Sequence, residues 1–195
     1  MYLFVIALLN LLNIVTVNGI PAWEGGRGTI NSLVSGAGYI EALRAPRESD
    51  TKHLAIHERG ATGSLSLSVN HKAPPLFYVN QGQLWQPVNE TTIYRVNVVN
   101  TTHTAYPNAN FPLKLVLGKK PEGVTGGVWR WSGTMLYYDN GPQTNGGLYY
   151  HCENFGNGLN GIYFFLKPSE TPPGCYYFTM HSWVREYINN KAGGW

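Results

Sequence analysis

Charged side chains are scarce in this sequence, where Asp, Glu, Lys and Arg together make up 13% of the 195 residues. An ordinary soluble domain carries about 25%. The net charge is only +3, and Lys119-Lys120 is the one pair of adjacent basic residues. This pattern argues against a nucleic-acid partner. Glycine, proline and aromatic residues replace the charges, as expected for a protein that works outside the cell among neutral polymers.

The first nineteen residues lack any charged side chain, and a polar, glycine-rich stretch follows them. This composition predicts a secretory signal peptide over residues 1–19, cut before Ile20. A membrane anchor is the alternative, but the apolar run from Tyr2 to Val17 is shorter than the roughly 20 residues that a spanning helix needs. We therefore predict a secreted protein with no membrane partner after signal removal.

Removal of 19 of the 195 residues leaves 176, which is enough for one domain with a sizeable core. We predict an extended N-terminal segment over residues 20–37, a single domain over 38–186 and a flexible C-terminus over 187–195.

Cysteine occurs only twice, at Cys152 and Cys175. In an oxidising compartment an isolated pair most simply forms one disulfide. Two free thiols are the alternative, and they would fit a cytosolic protein instead.

No stretch shows a sustained 3.6-residue apolar repeat, so helices are not expected. Apolar and polar side chains alternate instead, and aromatic stretches flank short turns such as Asn80-Gln81-Gly82, as in β-hairpins. The predicted strands and hairpins lie at 64–69, 76–85, 94–98, 113–117, 128–138, 148–152, 161–166 and 175–180, with loops at 106–112, 140–147 and 168–174. The chain is thus predicted to be an all-β, antiparallel domain of about ten to twelve short strands. A barrel, a β-trefoil and a sandwich remain open, and the hairpins favour the first two.

Two N-glycosylation sequons begin at Asn89 and Asn100. They bracket the strand predicted near 93–98, so each lies where that strand meets a loop and a bulky glycan can be accommodated. Both asparagines are predicted to be glycosylated.

A cluster of aromatic residues in the two hairpins invites a carbohydrate-binding interpretation, because flat rings can stack on the apolar faces of sugars. Its members are Trp85, Trp129, Trp131, Tyr137 and Tyr138. Core packing is the alternative and is favoured for most of them, since tryptophan is buried on average. Trp85, Trp131 and Tyr138 are the predicted sugar-binding residues, with Trp85 and Tyr138 expected to be the more exposed.

No catalytic constellation emerges from the spacing of residues along the chain. Nothing pairs two of the eleven acidic residues as a glycosidase requires. His57-Glu58-Arg59 has the residue types of a ribonuclease, but neighbours on a strand point to opposite faces. The six histidines show no zinc-site spacing with cysteine or carboxylate. We therefore predict no enzyme activity, no metal and no cofactor.

Six short segments stand out when they are taken in order: YIEALR at 39–44, GSLSL at 63–67, FYVNQGQL at 77–84, WRWSGTML at 129–136, HC at 151–152 and GCYYF at 174–178. Together they span about residues 39–182 and resemble the fungal cell-wall protein PhiA family, which is associated with development of the conidium-bearing phialide.

The resemblance implies secretion, residence in the fungal cell wall, and a part in wall integrity or asexual development, without a known reaction. We expect a glycoprotein whose partners are wall polysaccharide or other wall proteins, acting through surface aromatics. The alternatives are a secreted effector-like protein or hydrolase, either ribonuclease or glycosidase, and a coat protein whose aromatics drive self-association.

Overall fold

The computed structural model describes residues 36–43, 51–56, 61–69, 73–101, 112–153 and 159–183. All of them belong to the compact unit Gly36–Trp195. The predicted signal peptide, most of the segment 20–37 and the predicted C-terminus 187–195 lie outside these residues. The described part contains strands and turns but no helix, so the all-β prediction is confirmed. It accordingly has no helix that is long and apolar enough to span a membrane.

Thirteen strands are present in the described residues, slightly more than the sequence predicted. They are β1 (Gly38–Leu43), β2 (Lys52–Ile56), β3 (Gly63–Val69), β4 (Leu76–Asn80), β5 (Gln83–Asn89), β6 (Thr92–Asn100), β7 (Leu113–Gly118), β8 (Gly127–Ser132), β9 (Met135–Asn140), β10 (Gln143–Thr144), β11 (Leu148–Glu153), β12 (Asn160–Phe164) and β13 (Cys175–Trp183). The short β10 lies within the predicted loop 140–147, and β2 was not predicted as a strand.

Eight of these strands close into an antiparallel barrel in the order β1, β4, β5, β6, β7, β12, β11 and β13. The closing pair is β1 with β13, which runs from Tyr39 opposite Trp183 to Leu43 opposite Thr179. Closure removes the free sheet edges that an open sheet of this size would expose. The barrel is one of the three architectures that the sequence left open.

Two hairpins extend the barrel. The β2–β3 hairpin bridges β1, through Glu41 and Ala42, to β7. The β8–β9 hairpin, with β10 at its edge, joins β13 where His181 pairs with Met135. The Trp129 N–H also donates to the Gly82 carbonyl in the β4–β5 turn. Both hairpins contribute buried side chains to the barrel core.

The core follows from the alternation seen in the sequence. On β6 and β7 the inward side chains are apolar and meet across the strands, as Val96 does opposite Leu117 and Val98 opposite Leu115. Aromatic rings fill one region of the core, where Tyr138 lies 4.9 Å from Trp129 and 5.1 Å from Phe164 between ring centroids. Such tilted and edge-to-face pairs add to the stabilisation from area burial.

The predicted β4–β5 hairpin is confirmed, with Gln81 and Gly82 as its two turn residues. Their φ angles are 50° and 71°. A two-residue turn with both φ angles positive matches the right-handed twist of the flanking strands. Glycine at position 82 accepts this conformation without the penalty that a side chain brings.

A second, smaller apolar cluster contains the predicted disulfide. Cys152 and Cys175 are opposite residues on β11 and β13, with an S–S distance of 2.07 Å and a Cα–Cα distance of 4.3 Å. The surrounding buried residues are Tyr150, Leu159, Tyr163 and Phe165. The disulfide therefore ties together two neighbouring strands of the closed barrel.

Replacing both Cys152 and Cys175 by serine should lower the free energy of unfolding by about 3 to 4 kcal/mol, because the open loop gains entropy in the unfolded chain. Urea unfolding of the oxidised and variant proteins measures the difference. A loss below about 1 kcal/mol would show that the disulfide adds little to the paired strands.

Candidate functional site

Two of the aromatic residues from the hairpins lie in the core and not on the surface. Trp129 and Tyr138 are each only 2% exposed. The prediction that Tyr138 is among the more exposed aromatics was therefore wrong. The Tyr138 phenol packs over Gly127, where a Cβ atom would collide with the ring and its hydroxyl group. Because residue 127 is a glycine, there is space above its backbone in which Tyr138 is buried.

Trp131 is half-buried and packs against the same core. It shares the inward side of β8 with Trp129, as alternation predicted, and it lies opposite the buried Leu136. Trp131 therefore offers at most part of its ring to a ligand, and its main role is packing.

Trp85 is the predicted sugar-binding residue that remains on the outer face of the barrel. Its neighbour Leu84 is fully buried in the core, so Trp85 points outward, and its side chain is partly exposed. Arg95 lies opposite on β6, with its guanidinium carbon 5.8 Å from the centroid of the indole ring. This distance is that of a cation–π contact, which holds the two flat groups together.

A second group with an outward-facing aromatic ring consists of Arg130, Tyr137 and Asp139, and the sequence did not predict that these residues lie together. On the β8–β9 hairpin, the Arg130 guanidinium lies 4.5 Å from the Tyr137 ring centroid and forms an ion pair with Asp139. The hydrogen bond from Arg130 is the main reason why the pKa of Asp139 is lowered. The alternation of β8 could have revealed this group, because it predicts that Arg130 points away from the side that carries Trp129 and Trp131.

Both sequon asparagines are exposed. The Oδ1 atom of Asn89 accepts hydrogen bonds from the Thr91 N–H at 3.0 Å and the Thr91 hydroxyl at 3.1 Å. Asn100 ends β6, and the next residue, Thr101, donates its hydroxyl to the Pro112 carbonyl at 2.6 Å. Each asparagine is thus presented at a strand end where a glycan has room.

The structure also brings together a polar cluster that the sequence did not predict. His151 on β11 is 5% exposed, and its Nε2 atom lies 3.1 Å from the Ser66 hydroxyl oxygen on β3. On the other side of the ring, Nδ1 lies 3.6 Å from a carboxylate oxygen of Glu153. Ser66 is half-buried and Glu153 is exposed, so the cluster leads from the interior to the surface.

Lys52 and Tyr176 complete this cluster. The Lys52 ammonium group donates to the Tyr176 hydroxyl at 3.4 Å, and the rings of Tyr176 and His151 are 5.2 Å apart between centroids. Burial raises the pKa of Tyr176 to about 12, with Glu153 adding to the effect. Tyr176 therefore remains a neutral phenol that can accept from Lys52.

Burial is the main cause that lowers the pKa of His151 below 6.5. The Glu153 carboxylate acts in the opposite direction, and the Lys52 charge lowers the pKa further. His151 is thus a neutral imidazole at pH 7, which leaves one ring nitrogen with a lone pair and the ability to accept a proton.

No signal along the chain could have revealed this cluster, because Ser66 and His151 are 85 positions apart. The residues His57, Glu58 and Arg59, considered for a ribonuclease, lie outside the described residues. Among the residues that the structure describes, no group of three His, Cys, Asp or Glu side chains could hold a metal ion.

Comparisons with known proteins give no further assignment. No protein-family model, curated protein or solved structure matches this chain.

Because the folded state disfavours protonated His151, its contribution to stability is present above about pH 6.5 and is lost as the pH falls below that value. Wild type should therefore lose more unfolding free energy between pH 8 and 5 than His151→Gln, by at most about 1.4 kcal/mol per pH unit. Urea unfolding at several pH values measures this difference.

His181 also has a lowered pKa owing to burial, but it is present in both proteins and cancels in the comparison. Parallel pH profiles for the two proteins would contradict the prediction.

Proposed function

We propose that this protein is a secreted, wall-associated glycoprotein that adsorbs to polysaccharide through the outer face of its barrel. The supporting observation is the outward Trp85 side chain, partly exposed and in contact with the Arg95 guanidinium. Binding of this kind requires no reaction.

The chemistry of the Trp85–Arg95 pair suits a sugar ring. An indole offers a wide apolar face for the C–H groups of a pyranose, while a guanidinium has five N–H donors for hydroxyl oxygens. The two residues are directly opposite on neighbouring strands. The ring and the donors therefore stay in a fixed relation, which lowers the entropy cost of binding.

The disulfide and the exposed sequons support an extracellular setting. A disulfide persists in oxidising compartments and is rare in the cytosol. The asparagine side chains at 89 and 100 are accessible at the surface, as glycosylation requires. Together with the apolar leader in the sequence, these features favour export of the protein to the cell surface.

The resemblance to the fungal PhiA family motivates the choice of the cell wall as the place of action. We propose on this basis that the protein contributes to wall integrity or to asexual development. The extended strands and low charge suit contact with neutral polymers, where binding relies on stacking and hydrogen bonds more than on ion pairs.

Trp85→Ala should reduce retention on insoluble glucan or chitin by about tenfold or more, because the stacking surface is lost. Sedimentation with the washed polymer measures the bound fraction. Tyr177→Ala is the matched control, since Tyr177 is also an exposed aromatic, at 48%, but lies on β13. Equal loss in the two variants, or no binding by wild type, would contradict the proposal.

Glycosylation of the secreted protein should appear as a mass decrease after N-glycosidase treatment. Asn89→Gln and Asn100→Gln should each remove one part of that decrease, and the double variant should remove all of it. An unchanged mass in the wild-type protein would show that neither sequon is used, although both are exposed.

A further inference from the structure

We propose that Ser66 is an activated nucleophile, with His151 as its general base and Glu153 as a positioning residue, and that this site cleaves acyl esters. The inference rests on the geometry of β3 and β11. It is independent of polysaccharide adsorption, which uses the β5–β6 face.

The distances place the three groups in the order that nucleophilic catalysis requires. Ser66 Oγ lies 3.1 Å from His151 Nε2, within reach for direct proton transfer. His151 Nδ1 and Glu153 Oε1 are 3.6 Å apart, which is longer than a hydrogen bond. Contacts of this kind are often loose without a substrate and tighten in the complex.

His151 Nδ1 has no hydrogen-bond partner among the described residues, and in the proposed site the nearby Glu153 charge decides which tautomer is favoured. An ionised carboxylate is an acceptor only, so it favours the tautomer that has its proton on the facing Nδ1 atom. Nε2 then holds the lone pair and accepts from the Ser66 hydroxyl. Burial, which lowers the pKa of His151, keeps the ring in this neutral, basic form at pH 7.

Lys52 contributes a positive charge to this cluster. It is 8% exposed, and it forms no ion pair with the carboxylates that the structure describes. Its ammonium group donates to Tyr176, which is in ring contact with His151. The Lys52 charge reaches His151, whose pKa it helps to lower, and in the proposed reaction it favours the negative charge that develops on the ester carbonyl oxygen.

The reaction has two steps. Ser66 Oγ forms a bond to the ester carbonyl carbon as its proton passes to His151 Nε2, and the carbon–oxygen bond to the alcohol breaks. The alkoxide takes the proton from Nε2 and leaves as the alcohol. Water then gives a proton to the same nitrogen and attacks the acyl carbon, and the bond between that carbon and Ser66 Oγ breaks. Ser66 Oγ takes the proton back from Nε2, and the carboxylic acid leaves.

Esters are the substrate class because an alkoxide leaves more readily than an amide nitrogen. Ser66 is only partly buried and Glu153 lies at the surface, so the acyl group can approach from solvent. The buried side of the site is formed by Lys52 and His151.

A fluorophosphonate probe tests the nucleophile directly, because it transfers phosphorus to an activated serine oxygen and releases fluoride. The folded wild-type protein should gain one adduct, and peptide mass spectrometry should locate it at Ser66. Ser66→Ala should gain none. Ser64→Ala is the matched control: Ser64 shares the exposed side of β3, and its replacement should leave labelling unchanged.

The roles of His151 and Glu153 are tested by the rate of labelling and by its dependence on pH. Labelling by wild type should slow as the pH is lowered and His151 becomes protonated, with Lys52, Glu153 and Tyr176 as the other charged or titratable groups that face the ring. Glu153→Gln, a change at an exposed position, should slow labelling and shift its pH profile. His151→Gln, checked for folding by circular dichroism, should lower the rate by roughly a hundredfold or more.

Hydrolysis of p-nitrophenyl acetate extends the test to an ester. Turnover by wild type that Ser66→Ala lacks supports the proposal. It would be overturned if Ser66 gained no adduct, if Ser64 were labelled equally fast, or if folded His151→Gln were labelled at the wild-type rate.

Discussion

The pairing of β1 with β13 is the constraint on which the rest of the structure depends. These strands lie at the two ends of the described sequence, and their contact turns an open sheet into a closed barrel. The same β13 pairs along its first half with β11. One strand therefore both closes the core and fixes the position of Cys152 and His151 beside it.

A low content of charge shapes both the interior and the surface of this barrel. The core relies on aromatic rings at tilted and edge-to-face angles, with Phe164 in contact with Trp129, Tyr138 and Tyr149. On the outer face, Arg95 and Arg130 each lie over an aromatic ring. The cations on this face are thus placed against aromatic rings.

The strands could be predicted where alternation of apolar and polar residues along the chain marked them. The cluster around Ser66 and His151 could not be predicted. Alternation predicted β3, β6 and β7, and the two hairpins followed from their turns. β2 escaped prediction because Lys52 occupies a buried position on it and obscures the pattern. Tyr138 was misplaced because only the structure shows the space over Gly127. The Ser66–His151 contact depends on pairing between distant strands, whereas the disulfide followed from there being just two cysteines.

Closure by strands that are about 140 positions apart in the chain has a consequence for biogenesis. The first strand has no partner for one of its edges until β13 has been synthesised, and contacts of such long range form slowly. Barrel closure is therefore a late step of folding. Until it is complete the chain carries unpaired strand edges that can pair with other copies, so slow closure favours aggregation at high protein concentration.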